Sequence, residues 1–246
     1  VIFFVTGGSR GIGESIVIEA ARAGHDVAFT YVSGKERADR VLAGARDIAP
    51  KGKFKAYALD VRDSSAVEAV GDKVLEEFDT VDVVVANAGV NLNGLAANMP
   101  DDDWKTVIDT NLTGTFYVCR QFLPTMVGNR SGRIIMISSL GKGGVTGQAP
   151  YAASKAGLLG LSSTLAKEYG RKGITSNVVA PGFFETDMTR EGMSGSNREF
   201  WLKYCPLGRL GELPEIAKVV LFLAGDGASY INGETINVTG GLDWAP

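Results

Sequence analysis

VIFFVTGGSRGIG, residues 1–13, is the stretch whose reading decides the fold. Val1-Ile2-Phe3-Phe4-Val5 is continuously apolar and rich in β-branched and aromatic side chains. A run without polar alternation is the pattern of a strand covered on both faces. Thr6-Gly7-Gly8-Ser9-Arg10-Gly11-Ile12-Gly13 follows directly, and an amphipathic stretch of helix length follows that. Gly7 and Gly11 permit a tight turn and close approach of backbone to a pyrophosphate, and Gly13 lets helix and strand pack closely. The helix start then offers free N–H groups and a positive dipole end to phosphate. A strand before and a helix after turn a common glycine pattern into a dinucleotide-binding signature, with Ser9, Arg10 and Ile12 as further contacts. A P-loop would need Lys-Ser/Thr after its last glycine, whereas Gly13 is followed by Glu14-Ser15.

The same alternation continues along the chain. Strand-like runs fall at 26–32, 53–59, 81–86, 133–138, 174–179 and 235–238. Helix-length stretches fall at 11–23, 35–48, 64–78, 102–126, 151–169 and 214–224. Alternation of this kind predicts an α/β fold, a Rossmann-type doubly wound parallel sheet of seven strands with helices on both faces. No repeat or Pro/Ser linker divides residues 1–246, which are expected to form one dinucleotide-binding catalytic domain. Residues 184–206 break the rhythm with Gly192, Ser194, Gly195 and Ser196, and a loop this long reads as a substrate lid.

Composition narrows the function classes. The net charge of −3 provides no basic nucleic-acid surface, and no apolar run reaches the ~20 residues of a membrane span. Cys119 and Cys205 are too few for a disulfide scaffold and fit a reducing cytoplasm. The 1–5 run is too short for a signal peptide and lacks a preceding positive region, and the start without methionine suggests a trimmed N-terminus. His25 reads as a surface turn residue, Asp101-Asp102-Asp103 as helix capping and Cys119 as core.

Two further positions carry chemistry. The second strand ends on Tyr31-Val32-Ser33 without the acid that would hold an NAD ribose, while Ser33, Lys35, Arg37 and Arg10 suit a 2′-phosphate. This points to NADPH. Tyr151-Ala-Ala-Ser-Lys155 opens a helix, and an i, i+4 pair shares one face. An ammonium beside a phenol lowers its pKa and makes the tyrosine a general acid–base.

The glycine turn, Asp60-Val61, Asn87-Ala88-Gly89, Asn111, Ser138-Ser139, Tyr151…Lys155 and Pro181-Gly182 occur in order. Together they resemble the short-chain dehydrogenase/reductase family over essentially the whole chain. The 177–189 stretch and Asn237-Val-Thr-Gly-Gly241 are most similar to bacterial 3-oxoacyl-[acyl-carrier-protein] reductases. The resemblance implies that Tyr151 donates the proton, that Lys155 holds the nicotinamide ribose and that Asn111 anchors a water. It implies that Asp60 and Val61 hold the adenine, and that Asn87, Ala88 and Gly89 line the cleft. Pro181, Gly182, Phe184 and Thr186 would face the nicotinamide. The substrate-binding serine is Ser138 by the family's thirteen-residue spacing to the tyrosine, and Ser139 if the strand stays ungapped; the second register is preferred, because loops absorb deletions. The resemblance further implies an acyl thioester substrate, docking of acyl carrier protein through Arg130 and Lys172 with Arg133 and Arg171 in reserve, and a homotetramer. A sugar, steroid or other secondary alcohol substrate is the alternative, and a binding protein without turnover is the remote one.

Overall fold

The computed structural model describes residues 1–186 and 195–243. Seven parallel strands form one sheet: β1 (Ile2–Val5), β2 (Asp26–Tyr31), β3 (Phe54–Ala58), β4 (Val83–Ala86), β5 (Gly132–Ile137), β6 (Ile174–Pro181) and β7 (Thr235–Val238). Their order is β3-β2-β1-β4-β5-β6-β7. Every strand read from the sequence is present; β1, β4, β5 and β6 are buried almost throughout, whereas the edge strands β3 and β7 are partly exposed.

Helices α1 (Gly11–Arg22) and α2 (Lys35–Ile48) lie on one face. There Ile16, Val17 and Val41 pack with Phe3, Val5 and Phe29. Helix α3 (Ser64–Phe78) covers the other face, where Val67, Val74 and Phe78 pack with Phe4 and Val84. Asp63 starts α3 by accepting bonds from the Ser65 and Ala66 N–H groups. The order reverses at β1, whose neighbours are β2 and β4. This switch point opens the crevice in which open α/β sheets bind ligands.

One predicted helix is not continuous. In place of a single stretch over 102–126, the chain forms α4 (Asp101–Ile108), a π turn at Asp109–Thr113 and α5 (Gly114–Asn129). The Gly114 N–H bonds the Asp109 carbonyl, five residues back, so one extra residue is accommodated. That residue lets the Asn111 side chain turn inward to a neighbouring loop. Sequence periodicity cannot reveal this, because the apolar spacing on either side remains helical. Asp101, Asp102 and Asp103 occupy the first turn of α4, where the dipole favours acids, but the N-cap is Pro100 and makes no side-chain capping bond.

Helix α6 (Ala149–Tyr169) carries the Tyr–Lys pair and packs on the same face as α3 and α5. The expected lid segment, 184–206, contains a helix that the sequence reading did not assign, α7 (Gly195–Tyr204). Residues 187–194 lie outside the described residues. Helix α8 (Leu213–Ala224) starts on a Glu212/Glu215 capping box and joins the α1 face. Cys119 is core, as expected, and burial raises its thiol pKa to about 12. His25 is less exposed than the sequence suggested, since it stacks on Phe3 with ring centroids 5.2 Å apart.

Candidate active site

The glycine turn is held from below by β4. Thr6 Oγ1 accepts from the Asn87 and Ala88 N–H groups, each at 3.0 Å. The Asn87 side-chain amide donates to the Thr6 carbonyl at 2.9 Å and to the Gly7 carbonyl at 3.2 Å. Asn87 therefore braces the turn, with both amide hydrogens already spent. Gly7 has φ +67, the left-handed region that favours glycine. A Cβ on Gly13 would lie 2.2 Å from the Gly7 carbonyl oxygen and 2.6 Å from Asn87 Nδ2, so no side chain fits there.

Beside the turn lies a cleft of about 280 Å³ lined by Ser9, Arg10, Gly11, Arg37, Arg40 and Thr186, with Glu14, Glu185 and Leu213. Thr186 hangs over the turn: a Cβ on Gly11 would sit 3.6 Å from its Cγ2. Lys35, read from sequence as a phosphate ligand, instead pairs with Asp39 at 2.8 Å one turn along α2. Arg40 takes the place expected of Lys35. The sequence reading missed it because only the helix geometry brings Arg37 and Arg40 onto one side. Val32 and Ser33 are exposed beyond the end of β2, and Tyr31 closes that strand against Ala58.

Two adenine-side expectations need refinement. The Asp60 carboxylate is engaged by Arg62, whose guanidinium bonds both of its oxygens, and this pairing lowers the Asp60 pKa. Val61 buries its side chain against α5, where a Cβ on Gly114 would be 2.7 Å from Val61 Cγ2. Phe184 is corrected outright. Its ring is core, packed so closely on Gly211 that a Cβ there would meet it at 2.3 Å, so it does not face the cofactor cleft. Pro181 ends β6 against Val238, and Gly182 sits where a Cβ would be 2.9 Å from Thr239 Cα.

The remaining polar residues converge at the start of α6. Asn111 is fully buried at 0% exposure. Its Oδ1 accepts from the Val90 N–H at 2.8 Å, and its Nδ2 donates to the Val90 carbonyl at 2.9 Å and to Ser154 Oγ at 3.1 Å. Ser154 in turn donates to the Tyr151 carbonyl at 2.7 Å. Asn111 thus ties the 88–90 loop to the helix turn bearing Tyr151, with its side chain satisfied by the Val90 backbone and Ser154. Ser154 was not singled out from sequence; a buried serine inside Tyr-Ala-Ala-Ser-Lys is its only signal.

Lys155 Nζ donates to the Ile137 carbonyl at 2.7 Å. A Cβ on Gly89 would lie 3.4 Å from that ammonium and 3.3 Å from Asn111 Oδ1, so the two groups flank Gly89. Burial lowers the Lys155 pKa to about 8. Ser138 and Ser139 have different fates. Ser138 Oγ is buried and donates to the Lys155 carbonyl at 2.8 Å, whereas the Ser139 side chain sits beside that of Tyr151 and lowers its pKa. The expected depression of Tyr151 by Lys155 is not found in this arrangement. Burial raises the Tyr151 pKa and the neighbouring Ser139 hydroxyl lowers it, while the ammonium, 5.8 Å from the Tyr151 ring centre, is turned to Ile137.

A bound dinucleotide suits this architecture: a braced glycine turn, a cleft with three arginines, and a buried cation next to a tyrosine. Such a fold and site define an NAD(P)-dependent oxidoreductase acting on CH–OH groups, and the chain belongs to the short-chain dehydrogenase/reductase family. Residues 7–243 match the family described as enoyl-(acyl carrier protein) reductase. The chain is 43% identical to the 3-oxoacyl-[acyl-carrier-protein] reductase FabG of Staphylococcus aureus, over 97% of this chain and 96% of that one. It is 44% identical to the same-named enzyme of Escherichia coli, over 98% of this chain and 96% of that one. Among solved structures, levodione reductase superposes with a TM-score of 0.94 at 32% identity, covering 98% and 96% of the two chains.

Proposed function

We propose that this protein reduces a 3-oxoacyl thioester to the 3-hydroxyacyl thioester with NADPH, on the acyl-carrier side of fatty acid synthesis. The observation that carries it is the Ser139–Tyr151 pair beside buried Lys155, in a chain 43–44% identical to 3-oxoacyl-[acyl-carrier-protein] reductases. NADPH, when bound, would supply the hydride that the keto carbon gains. Ser139 donates a hydrogen bond to the keto oxygen, and Tyr151 delivers the proton that turns it into a hydroxyl. Two hydroxyls aimed at one oxygen suit a carbonyl becoming an alkoxide, which favours keto reduction over reduction of a carbon–carbon double bond. Lys155 would bind the nicotinamide ribose, and Asn111 with Ser154 positions the Tyr151 turn.

Acetoacetyl thioesters, sugars and cyclic ketones should be assayed side by side with NADPH and with NADH. The thioester with NADPH is expected to give at least about tenfold the kcat/KM of any other pair. Arg37→Ala with Arg40→Ala should raise the NADPH KM at least about 100-fold and leave NADH little changed, since each of the two charge-assisted bonds contributes about 1.5–3 kcal/mol. Wild-type preference for NADH would overturn the cofactor assignment, and preference for a sugar or cyclic ketone would overturn the substrate.

Carrier docking takes a different form from the one expected. Arg130 follows α5 and Lys172 follows α6, with the Arg130 guanidinium on the Arg171 carbonyl. Both lie at the strand starts of β5 and β6, the edge opposite Tyr151. Helix α6 has 21 residues, so at about 1.5 Å per residue Lys172 is roughly 30 Å from Tyr151. Arg133, expected in reserve, donates to the Gly132 and Gly173 carbonyls at the start of β5. We infer that a carrier held at Arg130 and Lys172 serves a second copy. A two-fold that lays α6 antiparallel on its mate brings one helix end to the other's start. Exposed Trp104 and Phe116, at 41% and 40%, support such a face within the inferred homotetramer. Arg130→Glu with Lys172→Glu should then slow carrier-bound substrate about tenfold, in a salt-dependent manner, and spare a small thioester mimic. A monomeric mass in light scattering, or equal loss on both substrates, would contradict the arrangement. Two buried free thiols, Cys119 and Cys205, fit the cytoplasmic location we infer.

A further inference from the structure

Ser139 opens a loop rich in glycine. Residues 139–148 include Gly141, Gly143, Gly144 and Gly147, and the last two take φ +106 and +76. A Cβ on Gly143, Gly144 or Gly147 would meet nothing within 4 Å, so these positions are not packed from outside. Ordering such a chain costs more conformational entropy than ordering other residues, and contacts elsewhere must offset it. The loop begins with a 3-10 turn, Leu140–Gly143. Ser139 Oγ accepts from the Gly141 N–H at 3.0 Å, and the Ser139 carbonyl accepts from the Lys142 N–H at 3.1 Å. Gly141 is wedged at the reaction centre: a Cβ there would lie 3.4 Å from both Ser139 Oγ and Tyr151 Cε1. Lys142 is thus the residue whose backbone closes the turn that Ser139 opens.

The Lys142 side chain leaves the loop for β7, where Nζ donates to Asn237 Oδ1 at 2.8 Å. Strand β7 is two strands from β5, about 10 Å at ordinary strand spacing, a span that suits a long stem. Asn237 is a firm anchor, since it pairs with Ala180 of β6 in the sheet. Partial burial lowers the Lys142 pKa, so the ammonium has given up part of its water to make this contact. We propose that Lys142 is a positioning residue for Ser139: its bond to Asn237 ties the glycine-rich turn to the sheet and holds the Ser139 hydroxyl in line for the keto oxygen. This rests on the reading of Ser139 given above and deepens it. A displacement of about 1 Å in a positioned group can cost about 10²-fold in rate, so a tether of the turn acts on kcat.

The test measures kcat and KM for Lys142→Met, Asn237→Leu and the double variant, on whichever carbonyl compound wild type reduces best and below each melting transition. Each single change should lower kcat about tenfold and leave KM within about twofold, because an interaction with the developing oxyanion is made in the transition state. The double variant should be no worse than either single one, as one bond is lost in all three. Asn237→Asp, which keeps an acceptor for the ammonium, should stay within about twofold of wild type, a rescue that general loosening of the fold does not give. In a Ser139→Ala background, Lys142→Met should cost less than about twofold more. Additive losses in the double variant, or a full tenfold loss in the Ser139→Ala background, overturn the inference while leaving Ser139 in the mechanism. A Ser139→Ala variant with intact kcat overturns the reading of Ser139, and the inference with it. Turnover of another ketone but of no thioester overturns the substrate reading alone, and the same variants on that ketone still decide the role of Lys142.

Discussion

Tyr151→Phe is expected to slow carbonyl reduction about 10²–10⁴-fold, the range a positioned general acid contributes. Dinucleotide binding should persist, because the glycine turn is braced by Thr6 and Asn87, at the far side of the site. Phenylalanine keeps the ring and its packing, so the substitution removes the proton donor beside Ser139. The pH dependence follows from the direction of the shift. Burial raises the Tyr151 pKa, so the phenol remains protonated through neutral pH and into the alkaline range. Wild-type reduction, which needs the acid form, should be flat across neutral pH. The reverse oxidation needs the phenolate and should climb as pH rises. Steady-state rates in both directions, with cofactor binding followed by nucleotide fluorescence, check both statements. A Phe variant retaining half of wild-type turnover, with cofactor binding intact, would remove Tyr151 from the mechanism.

The parts of this molecule legible in its sequence are those with a local signature. Strand 1–5 reads as apolar because it is buried on both faces, and Gly13 reads as close packing because nothing larger fits against the Gly7 carbonyl. What was not legible depends on where separate segments meet. The π turn at Asn111 is set by the Val90 loop, 21 residues away, and leaves no mark on helical spacing. Arg40 replaced Lys35 because Asp39 is one turn from Lys35 and captures it. Phe184 stands next to cofactor-facing positions in the chain, yet its ring is claimed by Gly211 across an isolated bridge. Arg130 and Lys172 follow site-bearing helices in sequence, but helix length carries them to the opposite edge of the sheet. Adjacency in a motif fixes a residue's neighbourhood only to within one helix length, and a 21-residue helix spans the whole domain.

The two serines are expected to separate cleanly, each failing in its own way. Ser139→Ala should lower kcat about 10²–10³-fold with an unchanged melting temperature, the size of effect seen when one donor to a developing oxyanion is removed. Its Oγ otherwise meets only the Gly141 N–H, at 3.0 Å, and the Tyr151 side chain, next to a turn that solvent reaches. Ser138→Ala should behave in the opposite sense. Its Oγ, 3% exposed with its residue, donates to the Lys155 carbonyl at 2.8 Å, a second bond on an oxygen that keeps its helical partner within α6. Losing that bond costs about 0.5–1.5 kcal/mol of stability, a drop of a few degrees in melting temperature, while folded enzyme keeps most of its turnover. Position along the chain cannot make this distinction, because successive side chains at a strand end point to opposite faces. One serine must therefore face the helix that carries Lys155 and the other the open crevice. Thermal melts and kcat measured on the same two preparations decide which is which. A Ser138 variant that melts normally but has lost catalysis would reverse the assignment, and the thirteen-residue spacing to Tyr151 would then outrank the ungapped strand.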